Sequence, residues 1–216
     1  MIKAVELITE LASFDEKHPN SSLEDFCRYY LASKSEQRNK HQNTTPSAPA
    51  TTIDFKLMRL VNRIVKLHSI YAIKATDGTG INTSEEFSLL NSIDCLNEPR
   101  KTEAIYNALF ELSTGIDMLN RLKKIGYITE YDDTEDKRSK RIKITAKGYK
   151  ALATCRKRMG QLAEIEFFDL SEDEKKICIQ LLSSVDAKFS ALWQSHRGVG
   201  FDEVYDSIVK TTNKKK

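Results

Sequence analysis

The sequence predicts a mainly α chain with one small β-hairpin, and three observations point there. Glycine (8) and proline (4) are scarce among 216 residues while 30% are charged, a balance that favours helices over a sandwich of strands. Apolar residues recur at three- and four-residue steps through most of the chain. Between Glu111 and Leu152 that rhythm is interrupted once. A helix over Ser113–Ile125 stops at Gly126, a strand Tyr127–Tyr131 and an acidic turn follow, and a basic return strand leads through Ile144 to a helix opened by Thr145. A helix followed at once by a hairpin with a cationic tip is a winged helix-turn-helix. Such a unit presents one helix to the DNA major groove and the hairpin to the backbone beside it.

The elements justify themselves in chain order. Residues 1–34 form an N-terminal helical extension of two amphipathic segments. The first carries Val5, Ile8 and Leu11 and ends before His18-Pro19; the second is capped by Ser22 with Asp25 three residues on. Both are short for helices in water, so their apolar residues, Phe14, Phe26, Tyr30 and Leu31 among them, need a surface to cover. Residues 35–52, polar and holding Pro46 and Pro49, read as a linker. A long helix over about Asp54–Lys74 shows a wide apolar face of Leu57, Leu60, Val61, Ile64, Val65, His68 and Tyr71. It fills the segment 53–76.

The winged domain, 83–150, begins with Thr83 or Ser84 as cap and buries Phe87, Leu89, Leu90 and Ile93. Beyond Pro99 a short helix turns Ile105, Ala108 and Leu109 inward, and the helix Ser113–Ile125 buries Ile116, Leu119, Leu122 and Ile125. In residues 151–212 the helix opened by Thr145 runs to about Ile165. Another, with Ser171 and Glu174 as a capping box, runs to about Gln194.

A net charge of +3 is too small to mark a nucleic-acid binder; the local distribution says more. From Lys137 to Lys150 there are seven basic residues and no acidic one, placed where a hairpin meets phosphates. The four cysteines lie far apart and the four histidines are scattered, so no metal set or catalytic pair stands out. The acidic run Asp132–Asp136 lacks the alternate ligand spacing and glycine bend of a calcium loop, and reads as a turn. No glycine-rich phosphate loop is present. A non-enzymatic chain without cofactor or metal is expected, cytoplasmic and without a membrane span.

Three motifs in order resemble those of the MarR family of winged helix-turn-helix regulators. Asn120-Arg121-Leu122-Lys123-Lys124-Ile125-Gly126-Tyr127-Ile128 is similar to the family's D-R-L-E-K-x-G-L-V. Asp136-Lys137-Arg138-Ser139-Lys140 resembles its wing, in which an aspartate holds an arginine near the tip. Ile144-Thr145-Ala146-Lys147-Gly148 is similar to L-T-x-K-G. The resemblance, over about residues 53–193, implies a homodimer interlocked through a helical dimerisation region of the first long helix and the last two. It further implies a ligand-responsive repressor that binds double-stranded DNA sequence-specifically, with a small-molecule pocket between the dimerisation region and each winged domain. Arg63, Lys66, His68 and Tyr71 are the candidates for its wall. One departure stands out: where the family often carries arginines near the start of the recognition helix and one turn later, this chain has Leu112 and Asp117.

The DNA-binding candidates are therefore Ser113, Thr114, Asp117 and Arg121 on the helix, and Arg138, Lys140, Arg141 and Lys143 in the wing. Strand alternation sends Ile142 and Ile144 to the core and Arg141 and Lys143 outward. Asp117 is able to accept a hydrogen bond from cytosine N4 but is repelled by phosphate. Gly115 lowers helix propensity by about 1 kcal/mol and permits a close backbone approach. The competing reading is a winged-helix module used for protein–protein contact, since a fold alone does not guarantee DNA binding.

Overall fold

The computed structural model describes residues 3–39, 52–134, 136 and 138–213. Its elements are α1 (Lys3–Lys17), α2 (Leu23–Asn39), α3 (Ile53–Thr76), α4 (Ser84–Leu96), α5 (Lys101–Asn107), α6 (Leu112–Lys124), β1 (Ile128–Asp132), β2 (Lys140–Ile144), α7 (Ala146–Phe167), α8 (Glu172–Trp193) and α9 (Phe201–Asn213). The chain divides within α3, between Arg59 and Leu60, into two units. No helix of the described residues is long and apolar enough to cross a membrane.

In the first unit α1 and α2 form a hairpin around an aromatic cluster. The Phe14 ring lies 5.6 Å from Phe26, 5.0 Å from Tyr29 and 4.7 Å from His18. Phe14 and Phe26 are buried, so the extension partly meets its own need for a covered surface, while Val5, Ile8 and Leu31 stay exposed. Lys34 Nζ reaches back to Glu6 at 3.2 Å and ties the helices at their open end. Ser22 and Asp25 cap α2 reciprocally. Helix α2 continues to Asn39, five residues into the stretch expected to be linker, and residues 40–51 of that stretch lie outside the described ones.

The second unit holds the winged domain. Its core joins Leu89, Leu90 and Ile93 of α4, Ile105 of α5, Met118, Leu119 and Leu122 of α6, Ile128, Ile142 and Ile144 of the hairpin, and Leu152 and Cys155 of α7. The strands pair antiparallel, Ile128 opposite Ile144 and Glu130 opposite Ile142, which sends both return-strand isoleucines inward as alternation requires. Thr83 caps α4 by accepting from the Glu86 N–H, Thr145 caps α7 through the Gly148 N–H, and Ser171 with Glu174 forms the capping box of α8.

Two inward assignments fail. Leu109 is exposed, because the chain leaves α5 through a left-handed residue there, φ 59°, and the turn carries its side chain away from the core. Ile116 is also exposed. The cause is Gly115: a Cβ at that position would lie 2.5 Å from the Ile105 side chain, so α5 presses directly on the α6 backbone there. The buried face of α6 is therefore centred on Gly115, Met118, Leu119 and Leu122, and Ile116 falls outside it. The close approach expected of Gly115 is made to a neighbouring helix.

Helices α3 and α8 keep large apolar faces open. Leu57, Leu60, Ile64 and Val65 of α3, and Leu181, Leu182, Val185 and Phe189 of α8, are each more than a third exposed. Helix α8 buries no residue at all within this chain.

Candidate nucleic-acid interface

Helix α6 presents a solvent-facing row opposite its core stripe. Ser113, Asp117, Asn120 and Lys124, at steps of four, three and four, share that side, with Thr114 and Arg121 on one flank and Ile116 on the other. Ser113, Thr114 and Asp117 were legible beforehand. Asn120, Lys124 and Ile116 were not picked out; the first two followed from the same helical spacing, whereas Ile116 required knowledge of the Gly115 contact.

Both ends of α6 are fastened. At its start Arg197, from the turn after α8, donates to Glu111 at 3.0 Å and lies 4.3 Å from the centre of the Tyr106 ring. At its end the Thr145-Ala146-Lys147-Gly148 motif does the work. Lys147 Nζ donates to the Ile125 carbonyl at 2.6 Å and the Thr145 hydroxyl to the Gly126 carbonyl at 2.7 Å. Gly148 packs against the Tyr127 carbonyl so closely that a Cβ would sit 2.2 Å from its oxygen. This motif joins the end of α6 to α7 and to the base of the wing.

Arg121 lies over a buried carboxylate. Its Nε is 3.5 Å from Glu86 Oε1, and Glu86 is 2% exposed. The other oxygen of Glu86 accepts the Asn82 N–H at 3.1 Å. An open depression beside this pair is lined by Thr83, Glu85, Thr114, Asp117, Met118 and Arg121, so it runs between the start of α4 and the exposed side of α6.

The wing is built on ion pairs. Asp133 is buried at its base and accepts from Arg100 Nε at 2.6 Å, with Arg141 Nε at 3.2 Å. Arg141 also donates to the Glu98 carbonyl, and Lys143 pairs with the Glu98 carboxylate at 2.8 Å. The Lys143 contact, followed by the Tyr131 hydroxyl, holds the Glu98 carboxyl below its usual range. Glu130 is held low as well, because Lys101 and Lys123 together outweigh the opposing effect of its burial. Lys140 pairs with exposed Asp132 at 3.3 Å.

Arg138 differs from these three. It is exposed at the tip, and its guanidinium has no ion-pair partner among the described residues. Asp136 organises that tip through the backbone: it accepts the Arg138 N–H at 3.0 Å and the Ser139 hydroxyl at 2.8 Å, which hold its carboxyl below the usual range, the Ser139 contact foremost. The aspartate thus holds the arginine's main chain and not its guanidinium.

Of the pocket candidates, only His68 makes a fixed contact that ties α3 to another helix. Its Nδ1 lies 2.9 Å from Glu166 of α7. Arg63, Lys66 and Tyr71 are exposed on α3, with Lys74 Nζ 5.6 Å above the Tyr71 ring.

A family model described as a winged helix DNA-binding domain matches residues 83–148. Among solved structures, a cysteine-to-serine mutant of MarR from E. coli complexed with operator DNA is 25% identical. The match covers 60% of this chain and 93% of that one, with a TM-score of 0.56. BpsR from Bordetella bronchiseptica, described with the regulation of its DNA binding by 6-hydroxynicotinic acid, is 17% identical, covering 61% and 98%, at a TM-score of 0.55. PcaV from Streptomyces coelicolor, solved with its natural ligand, is 17% identical, covering 67% and 98%, also at 0.55. A search of curated protein sequences gives no significant match.

Proposed function

From the premise that the chain is a winged-helix protein resembling the MarR regulators in fold and in three sequence motifs, we propose that it is a DNA-binding transcription regulator. It acts as a homodimer that reads double-stranded DNA with α6 and grips the backbone with its wing. The observation that carries this reading is the joint display of the polar row Ser113, Asp117, Asn120 and Lys124 and the exposed guanidinium of Arg138, which has no ion-pair partner among the described residues. One set offers hydrogen-bonding groups to base edges, the other an exposed cation to phosphate or a narrow minor groove. Lys140, Arg141 and Lys143 serve first to brace the wing on its carboxylates.

The open apolar faces of α3 and α8 support the dimer, since patches of that extent mark an association surface. A C2 pair sets two recognition helices about one DNA turn apart and calls for a near-palindromic operator. The neighbours described with ligands support a small-molecule effector bound beside α3, near Arg63, Lys66, His68 and Tyr71. Action in the cytoplasm and repression through effector release complete the proposal.

The pairing of most wing cations with carboxylates, and the carboxylate of Asp117 on the reading side, favour the rival protein-contact module. Selection of bound DNA from a random duplex pool, followed by a salt titration of the selected site, decides between them. A regulator yields a near-palindrome and an affinity that falls steeply and linearly with log salt. A protein-contact module enriches no sequence.

A further inference from the structure

We propose that Asp117 is a specificity-determining residue that selects cytosine, and hence a G·C pair, at one position of each half-site; this rests on the DNA-binding reading above. Asp117 stands in the middle of the exposed row of α6, between Ser113 one turn before it and Asn120 one turn after. On an isolated helix its natural counter-ion is the arginine four residues later. Here Arg121 is drawn to the buried Glu86, its Nε 3.5 Å from Oε1. Asp117 is left with no ion-pair partner among the described residues, on the side that meets DNA.

The surroundings make that charge more selective. The depression containing Asp117 carries a second carboxylate, Glu85, and neutral hydroxyls from Thr83 and Thr114, with Arg121 as its cation. Two carboxylates repel phosphate, so this part of the surface fits a base edge and not the backbone. In the major groove guanine shows the acceptors N7 and O6, and thymine shows the acceptor O4 with a methyl group. A carboxylate, which only accepts, is repelled by both. Adenine shows a donor at N6 beside the acceptor N7, and cytosine shows the donor N4 alone. The expected order is cytosine, then adenine, with guanine and thymine rejected. An arginine at this place would choose guanine on the same strand, so Asp117 inverts the strand on which the G·C pair is read. Discrimination by a carboxylate works as much through rejection of the wrong bases as through attraction to the right one.

The test is random-pool selection with the full-length chain and its Asp117→Asn and Asp117→Ala variants, each checked for unchanged melting. The wild type should enrich cytosine at one half-site position by about five- to a hundredfold over guanine or thymine. Asp117→Asn should move that position to adenine, whose N6 and N7 an amide contacts together. Asp117→Ala should make it degenerate and leave the other positions as they were. If all three proteins select the same motif, DNA binding stands and the role of Asp117 is overturned. A pool with no enriched sequence overturns the DNA-binding reading, and this inference with it.

Discussion

Arg100 and Asp133 meet at 2.6 Å beneath the wing, joining the N-cap of α5 to the end of the hairpin's first strand through a carboxylate with no solvent exposure. Arg141 completes the site from the return strand. A buried carboxylate held by two guanidiniums braces the wing against the domain, because losing either arginine leaves a charge with no access to solvent less well compensated.

Two neighbouring aspartates should therefore behave differently. Asp133→Ala is expected to cost about 2–4 kcal/mol, at or somewhat below the usual loss for breaking a buried pair because the arginines reach solvent. Asp132→Ala removes only the exposed pair with Lys140, worth about 0–1 kcal/mol. Urea unfolding of both variants measures the difference, and equal losses would contradict the assignment of Asp133 as the anchor.

The glycines give a second contrast. Gly148→Ala places a Cβ 2.2 Å from the Tyr127 carbonyl oxygen, backbone that cannot give way, and should destabilise by about 2–4 kcal/mol. Gly160, in the same helix, has open space around a Cβ, and Gly160→Ala should stabilise by about 0.5–1 kcal/mol. Thermal melts with opposite signs are the expected result.

Much of this architecture was legible because its causes are local. Thr83, Thr145 and Ser171 cap helices through bonds to amides three residues away, so spacing alone locates them. Ile142 and Ile144 are turned inward by simple alternation. What stayed hidden depends on distant partners. Nothing inside the run Asp132–Asp136 marks Asp133 as the buried member, since Arg100 lies 33 residues away. Ile116 reads as core until the Ile105 contact at Gly115 is known. In the candidate site, residue types revealed the wing cations, but not that Lys140, Arg141 and Lys143 are paired with carboxylates while Arg138 has none among the described residues.

That difference predicts the wing's behaviour on DNA. Arg138→Ala should weaken binding by about 1–3 kcal/mol and lower the salt slope by about one, with stability unchanged. Arg141→Ala should lower stability as well, since it removes one of the two guanidiniums that hold the buried Asp133. Binding isotherms across a salt series, read beside urea melts, separate the two effects. An unchanged slope for Arg138→Ala would count against phosphate contact.

Acid should loosen the wing in a defined direction. The Glu98 and Asp136 carboxyls are held below their usual range in the folded chain. A group depressed in this way contributes stability that is fully present above its unfolded value, about 4, and lost as pH falls through the folded value. Amide protection in β1 and β2 should thus be flat from pH 7 to about 5 and decline below about 4. Glu98→Gln should shrink the decline, and a profile identical to wild type would remove Glu98 from the account.

The join between Lys147 and the Ile125 carbonyl reaches past the winged domain itself. Because α6 and the first turn of α7 are bonded together, a tilt of one would carry the other, like the short and long arms of one crank. Helix α7 has 22 residues, so its length is roughly 33 Å. A pivot of only about 5° at its far end would carry α6 about 3 Å, close to the roughly 3.4 Å rise of one base pair. In the proposed two-fold assembly the tilt of this single helix would thus act as a gauge: it would meter how many base pairs separate the two half-sites, and a few degrees of error would shift the count by one.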